Sequence, residues 1–365
     1  MTLREPANSS VWDDLTIAVP LYSRPLELRQ LLNSIVDMTV LPGEVLLCED
    51  QSPDRQLLSE IAVEWKPILA SKGCLLKYLE NENNLGYDGN VRNLFAMASR
   101  PWVMLLGNDD AMLPEAVLAM QKFLDANSGI RMISRTFVRF STDISHVVGI
   151  TKLSDCDRVY TKDNAEPGMI LRLCGFVGGL LVDRRWACSI ATDEYDGTLY
   201  YQIYLAATAF SMNGVGYIAT PLVGSRIGNP PLFGSALAEK GVHVPGAYSA
   251  KARAAMWMGI LRICAEVEQK TSVPMLGSIR QELSGRQSFH VFEMVVPQGR
   301  HATWKLVEEF HRLGLMRHPL PWLLALAGLL MGRSSQTCFV TWRMMQKWRA
   351  RRYRSPWITG RKHVE

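Results

Sequence analysis

The first 125 residues alternate two patterns, and that alternation limits the fold more than any other feature of the chain. Short apolar runs at 15–20, 45–48, 75–79 and 102–106 read as strands. Between them, 24–38, 56–69, 88–98 and 114–124 carry apolar residues at helical spacing. Leu26, Leu28, Leu31, Leu32 and Ile35 mark the first of these helices, and Pro114 stands at the first turn of the last. Such a repeat predicts an α/β fold, a mainly parallel sheet with helices on both faces. Ligands then bind beyond the carboxyl ends of the strands, beside the point where strand order reverses. Tyr22, Asp50, Asn84 and the adjacent Asp109 and Asp110 follow the runs directly and are the residues to weigh.

The second half is less regular. Residues 132–140 and 176–182 read as strands and 199–212 as a helix. Residues 224–246 hold eight Gly and Pro and no period, which suggests a mobile lid. Helical patterns follow at 250–269, 276–291 and 303–315, then an apolar run at 320–331. That run has 12 residues with Pro321 near its start, short of the roughly 20 a bilayer span needs. Residues 1–14 hold Arg4, Glu5, Asp13 and Asp14 and no apolar core, unlike a secretory signal. The seven cysteines include no C-x-x-C pair and read as buried thiols of a reducing compartment.

The net charge of +5 conceals an asymmetry. Residues 333–365 carry nine Lys/Arg and one Glu, whereas the other 332 residues carry 31 basic and 34 acidic groups. In the tail Trp342, Met344, Met345, Trp348 and Tyr353 interleave with Arg343, Lys347, Arg349, Arg351, Arg352 and Arg354. This pattern fits an interfacial anchor on anionic lipid. Nucleic-acid binding and a plain solvated helix are the competing uses of such a tail, and we expect no nucleic-acid partner.

Chemistry concentrates at Leu106-Gly107-Asn108-Asp109-Asp110. Two adjacent carboxylates at a strand end repel each other unless a cation lies near, and hard oxygens of this kind suit Mg²⁺ or Mn²⁺ with a diphosphate completing the shell. The alternative is that one of them simply caps the helix that follows. Around this pair stand Val19-Pro20-Leu21-Tyr22-Ser23-Arg24, Glu49-Asp50-Gln51-Ser52, Asn83-Asn84-Leu85-Gly86 and Val91-Arg92-Asn93, in that order. Over roughly 14–125 the chain resembles the family 2 glycosyltransferases of the GT-A fold. The segments 84–93, 106–110, Phe176-Val177-Gly178-Gly179 and Arg226-Ile227-Gly228-Asn229 resemble the abequosyltransferase-like branch, which decorates bacterial O-antigen.

The resemblance implies an inverting transfer from a nucleotide-diphosphate sugar to a hydroxyl of a lipid-linked surface glycan, helped by Mn²⁺ or Mg²⁺. Pro20 and Tyr22 would line the base pocket and Asp50 would accept from the base. Asn84 and Arg92 would lie near the nucleotide. Asp109 and Asp110 would contact ribose and metal, although Gly107 stands where the family usually has an acid. Asp196 is the candidate general base, with Glu194 and Asp193 behind it. Arg226, with Asn229 beside it, would fold over the diphosphate, and His243 offers a third metal ligand. Gly178-Gly179 would admit an acceptor sugar or turn a strand tightly. The implied organisation is a GT-A domain over 1–246 (nucleotide-sugar half 14–125, acceptor half 126–223, lid 224–246), a helical region over 247–332 and the tail over 333–365. Such a protein would be cytoplasmic and peripheral on the inner face of the bacterial inner membrane. A sugar-phosphate nucleotidyltransferase and a non-catalytic sugar-nucleotide-binding or membrane scaffold are the alternatives. The former normally needs a Gly-rich phosphate loop after the first strand, where this chain has Leu21-Tyr22-Ser23.

Overall fold

The computed structural model describes residues 10–243, 245, 249–335 and 337–341. The tail pattern at 342–354 lies outside the described residues. In chain order the elements are β1 (Ser10–Leu21), α1 (Pro25–Val36), β2 (Val40–Glu49), α2 (Arg55–Ala70), β3 (Leu75–Glu80), α3 (Gly86–Met97), β4 (Trp102–Leu105), β5 (Ala111–Met112), α4 (Ala116–Ala126), β6 (Met132–Phe140), β7 (Val147–Thr151) and β8 (Arg158–Tyr160). Then come α5 (Met169–Cys174), β9 (Leu180–Asp183), α6 (Arg184–Ser189), α7 (Tyr201–Met212), β10 (Val215–Arg226), α8 (Ala250–Thr271), α9 (Leu276–Glu282), α10 (Ser288–Val295), α11 (Arg300–Arg312) and α12 (Pro319–Met331).

The strands form one sheet in the order β3-β2-β1-β4-β9-β6-β10-β5, with β7 on β6 and β8 on β10. β3, β2, β1 and β4 run parallel, β9 is antiparallel to both β4 and β6, and β10 returns parallel to β6. This is the α/β sheet of a GT-A fold. Every residue of β2 is buried, as expected of a parallel strand covered on both faces. α1 packs Leu28, Leu31, Leu32 and Ile35 into the core and α2 packs Leu58, Ile61, Trp65 and Leu69. Truncating any of these leucines to alanine costs about 3 kcal/mol through lost transfer and the cavity left behind. Carboxylates are buried here too, Glu44 and Glu49 of β2 among them. Glu44 on β2 accepts from Thr16 Oγ1 at 3.0 Å and Ser99 N at 2.9 Å and pairs with Lys77 Nζ at 2.8 Å. Burial raises its pKa, but these partners outweigh burial and hold it below the usual range.

The chain divides into two compact units, Met1–Ala247 with Ala255–Glu282 and Tyr248–Ala254 with Leu283–Glu365. The run expected as one helix over 276–291 is broken by a π turn at Leu283–Gln287, where the second unit resumes. α10, α11 and α12 pack there, with Phe292 edge-on to Phe310 at 5.4 Å and Pro321, Leu324, Ala325 and Gly328 of α12 buried.

Several expectations need correction. β10 occupies residues where no strand was expected, and it carries the chain through Arg226, so the irregular segment begins at Ile227. The strand expected over 176–182 forms only at Leu180–Asp183. Cys48, Cys74, Cys174 and Cys264 are buried free thiols, but Cys156, Cys188 and Cys338 are exposed.

Candidate active site

The chain builds outward from β1 through β2 to β3, then returns to place β4 on the other side of β1. Strand order therefore reverses between β1 and β4, and the crevice beyond their carboxyl ends is where an α/β sheet binds ligands. Backbone strain gathers at these ends. Ser23 and Arg24 after β1, Gln51 after β2 and Leu199 before α7 are four of the five described non-glycine residues with positive φ. Such conformations cost on the order of 1 kcal/mol each and persist where other contacts enforce them. Asn108 supplies one such contact, donating through Nδ2 to Tyr22 O at 3.3 Å and Ser23 O at 3.0 Å.

The strained turn aims Arg24 at the acidic pair. Its Nη1 lies 2.5 Å from Asp109 Oδ2 and its Nη2 donates to Pro230 O at 2.5 Å. Asn229 Nδ2 reaches the same Asp109 oxygen at 2.8 Å. Arg226 stacks its guanidinium 4.6 Å from the Phe140 ring centre. It donates from Nε to Asp109 O at 2.9 Å, from Nη1 to Thr142 O at 2.7 Å and from Nη2 to Gln30, while its backbone N–H reaches Asp110 Oδ1 at 3.2 Å. Arg226 thus braces the strand end on which Asp109 and Asp110 sit, whereas Arg24 is the cation that meets a carboxylate.

Asp110 is buried. Burial, then the charge of Asp109, pushes its carboxyl up to about 8. Its Oδ2 lies against the backbone of two glycines. A Cβ at Gly107 would stand 2.7 Å from it, and one at Gly178 closer still. A side chain at 107 would therefore require the Asp110 carboxylate to shift. Gly178 is held by Arg135, a buried guanidinium that donates to Gly178 O, to Phe176 O at 2.9 Å, and lies 4.8 Å from the Phe176 ring centre. Gly178-Gly179 thus brings backbone against the acidic pair, with Gly179 at φ 87°.

A divalent cation fits the donor set. Two hard carboxylates share the crevice, and burial together with the charge of Asp109 favours the protonated form of Asp110. No group of three or more His, Cys, Asp or Glu side chains gathers around a common point among the described residues. The chain would therefore offer Asp109 and Asp110 alone, leaving further positions to diphosphate and water. His243 is buried and does not complete a set with them.

On the β2 side, Asp50 is buried and accepts from Leu85 N at 2.8 Å, Gly86 N at 2.9 Å and Asn81 Nδ2 at 2.8 Å. Burial raises its pKa above the usual carboxylate range. It thereby caps the start of α3, and Asn84 joins it by accepting from Gly86 N at 3.0 Å. Tyr22 and Pro20 are half-buried at the end of β1. Arg92 on α3 forms a two-pronged pair with Asp196 at 2.5 and 2.9 Å, both side chains a quarter exposed. Glu194 stands apart from that pair, more than half exposed and 4.0 Å from Lys270.

Three residues absent from the sequence-based set matter here. Arg24 is the cation facing Asp109. Asp88 is buried, accepts from Leu199 N at 2.8 Å and Tyr201 N at 2.9 Å, and so caps α7 from another element. Glu239 accepts from Tyr87 N at 2.8 Å and Gly234 N at 2.7 Å, tying the 227–243 segment to α3. Gly86, at φ 74°, leaves the room Glu239 needs, because a Cβ there would stand 2.7 Å from Glu239 Oε1. Arg24 and Asp88 lie within the segments that carry the family resemblance, 19–24 and 84–93, whereas nothing around Glu239 marked it.

Comparison with known proteins agrees with this architecture. Residues 16–151 match the model of glycosyl transferase family 2. The abequosyltransferase RfbV of Salmonella typhimurium is 24% identical over 227 residues, covering 57% of this chain and 65% of its own length. An uncharacterized glycosyltransferase of Haemophilus influenzae is 28% identical over 120 residues, covering 33% and 37%. The chain thus spans under two thirds of both relatives. The crystal structure of S. aureus TarS 1-349 in complex with UDP-GlcNAc superposes with a TM-score of 0.57 at 16% identity, covering 96% of each chain. Residues 16–151 are thus similar to the family 2 glycosyltransferases, and the chain shares the GT-A fold of its structural neighbours.

Proposed function

We propose that the protein moves a sugar from a nucleotide-diphosphate donor to a hydroxyl of a bacterial surface glycan of the O-antigen kind, with inversion at the anomeric carbon. The observation that carries this reading is the convergence of Arg24, Asp109 and Asp110 at the reversal of strand order, within a domain related to an abequosyltransferase. TarS, whose fold this chain shares, was crystallised with UDP and with UDP-GlcNAc, which favours a donor of that class.

In this reading the diphosphate lies beyond β1 and β4, where Arg24 exchanges Asp109 for phosphate oxygens through its planar fork. Mn²⁺ or Mg²⁺, held by Asp109 and Asp110, would supply the charge that stabilises the departing diphosphate. Pro20, Tyr22, Asp50 and Asn84 flank the base and ribose, while Arg226 keeps the acidic pair in place. Asp196 takes the acceptor proton, and Arg92 orients it, which requires one of the two prongs of that pair to yield when the acceptor enters. The acceptor is lipid-linked, and the protein works at the cytoplasmic face of the inner membrane, drawn there by the basic C-terminal tail. No helix among the described residues is long and apolar enough to cross a membrane.

A panel of nucleotide sugars with Mn²⁺ tests this. Release of nucleoside diphosphate should be lost in Asp110→Ala. Asp196→Asn should lower kcat for transfer by about 10²–10³-fold while the donor KM changes little. Failure of every nucleotide sugar to bind in the presence of metal would overturn the reading.

A further inference from the structure

The sequence presents 320–331 as apolar on every side, but the structure divides it. Pro321, Leu324, Ala325 and Gly328 of α12 are buried within the second unit, Gly328 against Val296 and Thr303. Trp322, Leu323, Leu326 and Leu330 are 53–67% exposed. At 3.6 residues per turn these four fall within about 100° of one another, so they form one continuous outward face. Met331 at the end of the helix and Trp304 on α11 are also exposed. Four large apolar side chains on one exposed helix face mark a surface that something else covers.

Charge selects what covers it. The second unit, residues 248–254 and 283–365, carries 16 Lys/Arg and four Asp/Glu. A second copy docked through this face would set two strongly basic units together, whereas an anionic surface meets both the charge and the apolar side chains. The helix is 13 residues, about 20 Å long, too short to cross a bilayer and suited to lying in its surface. We infer that α12 is an insertion helix, sinking Trp322, Leu323, Leu326 and Leu330 to the acyl boundary of an anionic lipid surface while its opposite face stays packed on the second unit. This rests on the membrane-surface reading above and adds the element that enters lipid. The tail supplies attraction, α12 supplies depth, and the two separate by their response to salt.

Flotation of the full chain with vesicles of phosphatidylcholine and phosphatidylglycerol (3:1) tests the inference, alongside Leu326→Glu/Leu330→Glu, Leu323→Glu and a chain ended at residue 341. The wild type should float. The glutamate variants should lose about tenfold or more of the bound fraction with the same melting temperature, since the substituted side chains face outward. The shortened chain should bind less overall yet keep a fraction that resists 0.5 M salt (roughly a 4 Å screening length). Glutamate variants that float like the wild type would overturn insertion by α12 while leaving attraction through the tail intact. Light scattering that finds a wild-type dimer and a monomeric double variant would assign the face to a second copy instead. A wild type that never floats would defeat the membrane reading as a whole, and release of nucleoside diphosphate would remain a separate test of transfer.

Discussion

An aspartate at position 107 would complete the acidic pattern usual in the family, yet its Cβ would stand 2.7 Å from the Asp110 carboxylate. Gly107→Asp should therefore cost activity, about 100-fold in kcat/KM, because it displaces the buried carboxylate on which the site is built. Steady-state kinetics of the variant against the wild type would check this. Asp88 makes a different prediction. Burial pushes its carboxyl up to about 7, well above the range of an exposed aspartate. Between roughly pH 4 and 7 the folded chain holds a proton there that the unfolded chain has released. Its contribution is thus fully present at low pH and disappears as pH rises through 7. Asp88→Asn should remove that slope and cost about 1–2 kcal/mol at pH 5, because an amide accepts at only one of the two backbone N–H groups. Urea titrations at pH 5 and pH 8 would measure both effects.

The irregular segment after β10 is fastened rather than free. Glu239 accepts from Tyr87 and Gly234, Phe233 lies edge-on to Tyr87 at 5.8 Å, and Pro230 takes the second N–H fork of Arg24. Glu239→Ala should release it, speeding proteolytic cleavage within 227–243 several-fold and raising the donor KM more than it lowers kcat. Limited proteolysis with and without nucleotide would report the first, and initial rates the second. The sequence revealed the elements unevenly for related reasons. Strands buried on both faces leave unbroken apolar runs, so β1, β2 and β4 were legible, as were β3 and the intervening helices from their apolar residues. Gly216, Pro221 and Gly224 interrupt β10, and β5 has only two residues, so neither left a period to read. In the site, Asp50, Asp109 and Asp110 were legible because they follow strands directly. Asp88 and Glu239 were not, because their partners lie 111 to 113 and 152 residues away, beyond any local pattern.

At the scale of the whole chain, each unit encloses apolar side chains of its own, Leu31 and Leu47 in the first and Phe292 and Phe310 in the second. Glutamate at Leu326 and Leu330 should leave the melting temperature unchanged, because those side chains face outward, and differential scanning calorimetry would resolve this. The sheet order has a further consequence, for the making of the protein. β4 finds its outer neighbour only in β9, 75 or more residues later, and the Asp109–Asp110 strand end waits for Arg226 and Asn229, which are made more than 100 residues after it. At ribosomal speeds of about 5–20 residues per second, the acidic pair spends roughly 6–24 s without its brace. The high contact order of the completed sheet slows closure further. The nascent chain therefore presents an open β4 edge for a large part of its synthesis. Chaperone dependence, more than final stability, should limit how much of this protein a cell accumulates.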